Sequence, residues 1–303
     1  GVSPALTVGT GEALSSATST STILDQYLVV CTSAGGSSYS AGQIIPASAI
    51  TVNTSTRQIT VSGGSGMTAN IVATIDASNP SIKPKVYYTA NTTIQSSGGV
   101  DVFSNSAVTL YPFSGQVHIA NTFINRNADG VNSLYCSDVT DIVKIMDYNG
   151  YNVTDANTTY AVDVTTKYFF DNGQRNSVYD HASIRLKPKY TPPQGPIVVY
   201  FNRFYSSGPG FFTVDSYTAN NITNFDYGNI PTYIAPTLDN SNPVYELRDC
   251  LDFRPVRSDA TAGSGTTVSF DVSPTTYGPK IPVVGDQGIL DYSYYLPRID
   301  KVI

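Results

Sequence analysis

Two stretches of the sequence place acids and arginines close enough together to support acid–base chemistry. The stretch DNGQRNSVYDH (Asp171–His181) contains two acids, an arginine and one of the chain's two histidines. The stretch RDCLDFRP contains a second pair of acids, Asp249 and Asp252. Glycosidases need two Asp or Glu side chains that flank the scissile sugar bond. The pairs Asp171/Asp180 and Asp249/Asp252 are therefore the candidate catalytic carboxylates.

Arginines next to these acids favour a structural interpretation. Arg175 lies within the first stretch, and Arg248 and Arg254 flank the acids of the second. An adjacent guanidinium lowers the pKa of a carboxyl group, whereas a general acid needs a raised pKa. Asn172-Gly173 is typical of a tight turn, and the other oxygen ligands of a calcium loop do not follow it. We therefore predict ion pairs that fix the geometry of turns, with Tyr179 covering the join.

Other catalytic and cofactor motifs are missing from the sequence. No Gly-rich loop is followed by Lys-Ser or Lys-Thr, no G-x-G-x-x-G opens a helix, and GGSSYSAGQ (Gly35–Gln43) lacks the spacing of a nucleophile elbow. His118 lies in the alternating segment QVHIA, which is typical of a non-catalytic histidine in a strand. The histidines and cysteines are not clustered at zinc-ligand spacing. We expect no enzymatic activity, no catalytic residue, no cofactor and no metal site.

The composition argues against several classes of partner. Only 13% of the residues are charged, the net charge is −6 and the basic residues are scattered, so no nucleic-acid-binding patch is expected. The apolar runs are of strand length, which argues against membrane insertion. The chain shows no signal peptide and begins without Met, so we expect a processed chain or a fragment. Cys31, Cys136 and Cys250 are predicted to be buried free thiols in a protein that folds in a reducing cytoplasm.

Alternating apolar and polar residues predict β-strands along most of the chain. In SAITVNTSTRQITVSGG, two alternating runs flank the polar segment Asn53–Arg57, which predicts a hairpin. In ASIRLKPKY, we expect Ile184 and Leu186 to face inward and Arg185 to face outward. The segment IVVYFNRF begins at Ile197, after the turn TPPQGP, and is expected to be a buried strand.

Two further segments are less simple to assign. In TTYAVDVTTKYFF, the alternation predicts a strand with Tyr160, Val162 and Val164 on one face. The segment SDVTDIVKIMD (Ser137–Asp147) fits an apolar helical stripe, but it also fits a strand that ends at the turn Asn149-Gly150. We favour the strand, because the neighbouring segments are predicted strands.

These patterns predict an all-β fold with two antiparallel β-sandwich-like domains followed by an extended Pro-rich strap. Residues 1–99 are expected to form a Ser/Thr-rich β domain that ends at the linker QSSGG, and residues 100–217 a Tyr/Phe-rich β-sandwich domain. Residues 218–303 contain many prolines and few clean alternations. We expect them to lie as a strap on this chain or on a neighbour.

Three phrases in the second half of the chain carry a family resemblance. They are DNGQR…YDHASIRLKP (Asp171–Pro188), LRDCLDFRPVR (Leu247–Arg257) and DYSYYLPRIDKVI (Asp291–Ile303), with FFTVDSY and NIPTY between the first two. In this order they resemble tail-associated structural proteins of T4-like tailed bacteriophages, including cyanophages, which carry a domain of unknown function. The resemblance covers roughly residues 160–303, and the first 100 residues contain no matching phrase. Because the last phrase usually lies mid-chain in this family, the resemblance implies that the chain continues beyond Ile303.

The resemblance implies a structural virion protein of a phage tail (baseplate, tail fibre or fibre attachment) that acts by subunit assembly and not by catalysis. It implies other tail proteins as partners, a homo-oligomer, for which we expect a trimer, and a location in the virion tail after assembly in the host cytoplasm. The alternative is a receptor- or carbohydrate-binding module of a tail fibre, whose loop NRFYSSGPGFF (Asn202–Phe212) would stack on a host-surface glycan. Tyrosines clustered at one exposed end would support the alternative, and burial of the same residues would remove it. A glycan depolymerase and a bacterial surface protein are further alternatives.

Overall fold

The computed structural model describes residues 1–9, 11–16, 20–78, 80–90, 93, 109–111, 115–119, 131–208, 210–218, 228, 230–237, 241–259 and 281–283. Its strands, in chain order, are β1 (Glu12–Leu14), β2 (Tyr27–Ser33), β3 (Ile50–Asn53), β4 (Gln58–Val61), β5 (Thr68–Ala73), β6 (Ile75–Ala77), β7 (Lys85–Tyr88), β8 (Thr109–Tyr111), β9 (Gln116–Ile119), β10 (Val131–Ser137), β11 (Val139–Asp147), β12 (Val162–Asp163), β13 (Tyr168–Asp171), β14 (His181–Leu186), β15 (Ile197–Ser206), β16 (Thr232–Ile234) and β17 (Val244–Glu246). The short helices α1 (Thr20–Gln26) and α2 (Val214–Thr218) accompany them. No helix in these ranges is long and apolar enough to cross a membrane.

The predicted all-β fold is confirmed, since every ladder between these strands is antiparallel. Strand β15 is the centre of the largest sheet, and its sequence IVVYFNRFYS is buried at nearly every position, as predicted. One edge of β15 pairs with β11. Along its other edge, the first half pairs with β9 and the second half with β7. Strands β12 and β8 complete this six-stranded sheet.

A three-stranded sheet in the order β10-β14-β13 packs against the six-stranded sheet through one apolar core. Ile184 is buried in this core and Leu186 packs against it, whereas Arg185 is exposed, as the alternation predicts. Removal of this apolar surface from water is the main favourable contribution to folding. The core comprises Val117, Ile119, Leu134, Cys136, Val139, Ile145, Val164, Tyr168, Ala182, Ile184, Ile197, Val199 and Phe201.

The N-terminal strands form the two-stranded ladders β1-β6, β2-β5 and β3-β4 around a second core. The predicted hairpin is confirmed, because β3 and β4 pair from Asn53 opposite Gln58 to Ile50 opposite Val61. Strand β7 belongs to the sheet of β15. The linker predicted at residues 95–99 lies outside the described residues, so the boundary between the first two domains stays a prediction.

The segment from Val139 to Asp147 is a strand, which confirms the favoured assignment over a helix. The chain leaves this strand at Asn149 and Gly150, whose φ angles are 51° and 87°. Both angles lie in the left-handed region that Asn and Gly adopt most readily, so the Asn-Gly turn predicted from the sequence is present.

The continuous strand predicted through Tyr160, Val162 and Val164 is wrong. A 3-10 helix covers residues 155–160 and another covers residues 165–167, so only the two-residue β12 remains between them. The side chain of Thr154 accepts a hydrogen bond from the Asn157 amide at 3.1 Å. Side-chain to backbone hydrogen bonds of this kind compete with the sheet ladder, and the alternation of residue types does not reveal them.

Part of the predicted strap packs against the second domain. Strands β16 and β17 form a hairpin, and Tyr233 of β16 joins Phe204 of β15 and Tyr217 of α2 in a third core. Beyond this hairpin, residues 250–259 run along the second domain, where Val256 forms an isolated parallel β-bridge with Tyr179. Within residues 218–303 the structure describes residues 218, 228, 230–237, 241–259 and 281–283, so the phrase DYSYYLPRIDKVI lies outside the described residues.

Candidate functional site

The DNG stretch forms the predicted turn at the end of β13. Gly173 has a φ of 76°, and a β-carbon at this position would lie 2.3 Å from the carbonyl oxygen of Asp180, so the turn requires glycine. The Arg175 guanidinium donates two hydrogen bonds to Asp171, at 2.9 and 2.7 Å. These bonds lower the pKa of Asp171. The predicted ion pair is therefore confirmed, and because it is nearly half exposed we expect it to contribute only about 0–1 kcal/mol to stability.

The other candidate carboxylates also have arginine partners. Asp180 accepts a hydrogen bond from Arg257 at 2.8 Å, and Asp252 forms an ion pair with Arg254 at 2.7 Å. Burial by itself raises the pKa of both carboxyl groups, but the hydrogen bonds from these arginines lower it overall. Asp249 lies 3.7 Å from Arg248 on the surface. The lowered pKa values of Asp171, Asp180 and Asp252 favour the ionised carboxylate, which is opposite to what a general acid at neutral pH requires.

The two histidines lie in different strands and are buried. His118 of β9 is 2% exposed, and burial lowers its pKa to about 4. His181 of β14 has its Nε2 atom 2.7 Å from the carbonyl oxygen of Ser258. Within the described ranges, no group of three or more His, Cys, Asp or Glu side chains could hold a metal ion. The three cysteines are free, as predicted, and Cys31 and Cys136 are buried. Cys250 is partly exposed, so only its predicted burial is wrong.

A group of polar side chains is buried where β7, β15 and the segment after β17 meet. We call it the Lys85 cluster, and it comprises Lys85, Asp138, Gln174, Tyr179, Asp252 and Arg254. The Lys85 ammonium is fully buried and lies 2.7 Å from Oδ2 of Asp138, which is itself buried. It also donates to the phenol oxygen of Tyr179 at 3.3 Å, and that phenol donates to Asp252 at 2.5 Å.

Aromatic rings surround the Lys85 ammonium. The ring centroids of Tyr179 and Phe212 both lie 4.3 Å from Nζ, that of Tyr217 lies at 4.9 Å and that of Phe204 at 5.7 Å. Cation–π attraction strengthens when the cation is desolvated. Burial by itself lowers the pKa of Lys85, but the charge of Asp138 and its hydrogen bond oppose this and raise the pKa overall. The ammonium is therefore the dominant form of this side chain.

Backbone pairing brings Lys85 and Asp138 together. Lys85 is the first residue of β7 and pairs with Ser206 at the end of β15. Asp138 joins β10 to β11 with a φ of 58°, and its carbonyl oxygen accepts a hydrogen bond from the amide of Phe204 at 3.0 Å. A non-glycine residue in this region of φ is strained and persists only where its surroundings fix it. Both partners are therefore held against the second half of β15.

Sequence reasoning identified Asp252 and Arg254 but missed Lys85 and Asp138. In the run KVYY, Lys85 is followed by a valine and two tyrosines, and nothing in this local sequence marks the lysine as buried. The local sequence around Asp138 indicates only the start of a strand or of a helix. No local spacing signals the pair, because its two residues are separated by 53 positions.

An open groove of about 570 Å³ adjoins the Lys85 cluster and shares Asp252 and Arg254 with it. We call it the Tyr233 groove, and it is lined by Asn176, Ser177, Tyr233, Ala235, Thr237, Pro243, Tyr245, Leu247, Cys250, Leu251, Asp252, Phe253, Arg254, Ile281 and Pro282. The rings of Tyr233 and Tyr245 stack at a centroid distance of 6.3 Å, and the Arg254 guanidinium lies 4.4 Å from the Tyr233 ring.

Comparison with family models, curated proteins and solved structures finds no match to this chain.

Proposed function

We propose that the chain is a structural subunit of a phage tail, in a baseplate, a tail fibre or a fibre attachment, and that it acts through assembly and not through catalysis. The observation that carries this proposal is the way two phrases of the family resemblance interlock. The phrase that contains DNGQR and the phrase LRDCLDFRPVR are distant in sequence but adjacent in space.

Backbone and side-chain bonds both join the two phrases. The amide of Tyr179 donates to the carbonyl of Pro255 at 2.9 Å, and the amide of Arg257 donates to the carbonyl of Tyr179 at 2.9 Å. Arg254 reaches the carbonyl of Arg175 at 3.1 Å and the side chain of Gln174 at 3.2 Å. These hydrogen bonds hold the two backbone segments next to each other, so the polar and charged side chains have a structural role here.

The proposal can be tested on particles of the virus that encodes the chain. We would raise antibodies against the purified chain and use them for immunogold labelling of intact particles, with antibody preadsorbed on the chain as the control. Labelling confined to the tail is the expected result. The proposal is refuted if mass spectrometry of purified particles, intact or disrupted, detects no peptide of the chain.

A glycan-binding module is a second candidate, although not through the loop that sequence reasoning indicated. In that loop Phe204, Phe211 and Phe212 are buried, which argues against stacking on a sugar there. The Tyr233 groove favours the candidate instead, because it combines stacked rings, of which Tyr245 is 47% exposed, with amide and hydroxyl groups. Binding on a glycan array that is lost in Tyr245→Ala but kept in Tyr151→Ala would support this candidate.

A further inference from the structure

We propose that Lys85 and Asp138 become joined by an intramolecular isopeptide bond, an amide between Nζ of Lys85 and Cγ of Asp138. The bond would link β7 covalently to the junction of β10 and β11. This inference rests on the geometry of the Lys85 cluster and does not depend on the proposed role in a phage tail.

The first argument is the placement of the reacting groups. Nζ of Lys85 lies 2.7 Å from Oδ2 of Asp138, and the two side chains are 0% and 3% exposed. Lys85 lies opposite Ser206 in the β7–β15 ladder, and the carbonyl oxygen of Asp138 accepts a hydrogen bond from the amide of Phe204, so the contact is held by the fold. Groups that are fixed at such a distance react as if at very high effective concentration, because little entropy remains to be lost.

The second argument is the exclusion of water. The rings of Tyr179, Phe212 and Tyr217 lie within 4.9 Å of Nζ and enclose the ammonium. Amide formation releases water, so a dry site favours the product over hydrolysis.

The third argument is the presence of groups that can assist the reaction. The side-chain amide of Gln174 makes a long 3.5 Å contact with Oδ1 of Asp138, and Arg254 fixes the other end of this amide. A donor at Oδ1 stabilises negative charge that develops there when the carboxyl carbon is attacked. Tyr179 accepts from Nζ and donates to Asp252, which provides a path for a proton.

The reaction needs no oxidant or other co-reactant. A proton passes from the Lys85 ammonium to the Asp138 carboxylate and leaves a neutral amine beside a carboxylic acid. The amine lone pair attacks Cγ and forms the C–N bond. The second amine proton passes through Tyr179 to Asp252, which holds it transiently, and returns through Tyr179 to the departing oxygen, so that the C–O bond breaks and one water molecule leaves.

The raised pKa of Lys85 limits the rate of this reaction. Burial favours the neutral amine, but Asp138 and the other nearby acids keep the ammonium dominant. The reactive neutral pair is therefore a minor form, and we expect the bond to form slowly after the chain has folded.

The test is the intact mass of the purified, natively folded full chain, followed over several days. The expected result is a mass lower than that of the sequence by one water. Trypsin should then fail to cut after Lys85 and release a branched peptide that links residues 58–126 to residues 127–144. Lys85→Arg should keep its full mass, whereas the matched control Lys83→Arg should still lose water.

Two further observations keep the outcome unambiguous. The sequence contains an Asp-Gly step at Asp129-Gly130, which can lose water by forming a succinimide, so a loss that persists in Lys85→Arg refutes the proposal. A wild-type chain that keeps its full mass and is cut after Lys85 also refutes it. Asp252→Asn should slow bond formation by roughly a hundredfold if Asp252 carries the proton, and this change in rate is not expected from loss of stability alone.

Discussion

Replacement of Arg254 by Met is a direct test of the Lys85 cluster as a structural element. The guanidinium of Arg254 makes two hydrogen bonds to Asp252, at 3.0 and 2.7 Å, and one to the phenol of Tyr179 at 2.9 Å. The side chains of Arg254 and Asp252 are only 10% and 7% exposed. Methionine keeps an unbranched apolar side chain but removes the guanidinium, which lies 4.2 Å from the Tyr179 ring and 4.4 Å from the Tyr233 ring.

The expected loss in the free energy of unfolding depends on the hydrogen bonds that Asp252 keeps in this variant. Removing one partner of a buried ion pair typically costs about 3–5 kcal/mol, because the other charge is left buried. In Arg254→Met, Asp252 still accepts hydrogen bonds from Tyr179 and from the backbone amide of residue 254. We therefore expect a loss near the lower end of that range, about 3 kcal/mol.

The assay is urea unfolding, followed by the near-ultraviolet circular dichroism of tyrosine, since the chain has 22 tyrosines and no tryptophan. The matched control is Arg248→Met, whose side chain is 44% exposed and lies 3.7 Å or more from its acidic neighbours. It should cost about 0–1 kcal/mol. The intact mass of each variant would be measured first, so that chains with the same Lys85–Asp138 linkage are compared. Equal losses of stability in the two variants, at equal m-values, would refute the reasoning.

Three further predictions concern the thiols, the pH dependence and the assembly state. A maleimide should label Cys250 in the native chain, and Cys31 and Cys136 only after unfolding; labelling of all three under native conditions would contradict their burial. The pKa of His118 falls from 6.5 to about 4 on folding, so the unfolded chain binds more protons between these values and stability should decrease as the pH falls through this window. The slope of the urea midpoint against pH should be smaller in His118→Asn, and equal slopes would show that His118 is not responsible. Mass photometry should detect a homo-oligomer, for which we expect a trimer, and a monomer at all accessible concentrations would argue against an autonomous fibre.

Local patterns in the sequence were sufficient to predict much of the second domain. The apolar run from Ile197 predicts β15 and the alternation around Ile184 predicts β14, because burial on two faces or one face of a sheet dictates these patterns. The Asn-Gly and Asp-Asn-Gly turns were also predictable, since they depend on backbone preferences of two or three residues. The ion pair between Asp171 and Arg175 is short-range for the same reason.

The pattern of residue types failed where local hydrogen bonds or distant partners decide the structure. Around Tyr160, 3-10 turns replace the predicted strand. The side chain of Thr154 accepts a hydrogen bond from the amide of Asn157, and the alternation of apolar and polar residues does not predict such a bond.

The sequence by itself therefore determined that this chain is an antiparallel all-β protein and that its conspicuous acids lie beside arginines. Only the tertiary structure decided which charges are buried. Lys85 and Asp138 are separated by 53 positions, and each looks like an ordinary polar residue in its own segment. They meet because β7 and the junction of β10 and β11 are both hydrogen-bonded to the same half of β15. Such a contact depends on strand order, and strand order is a property of the whole chain.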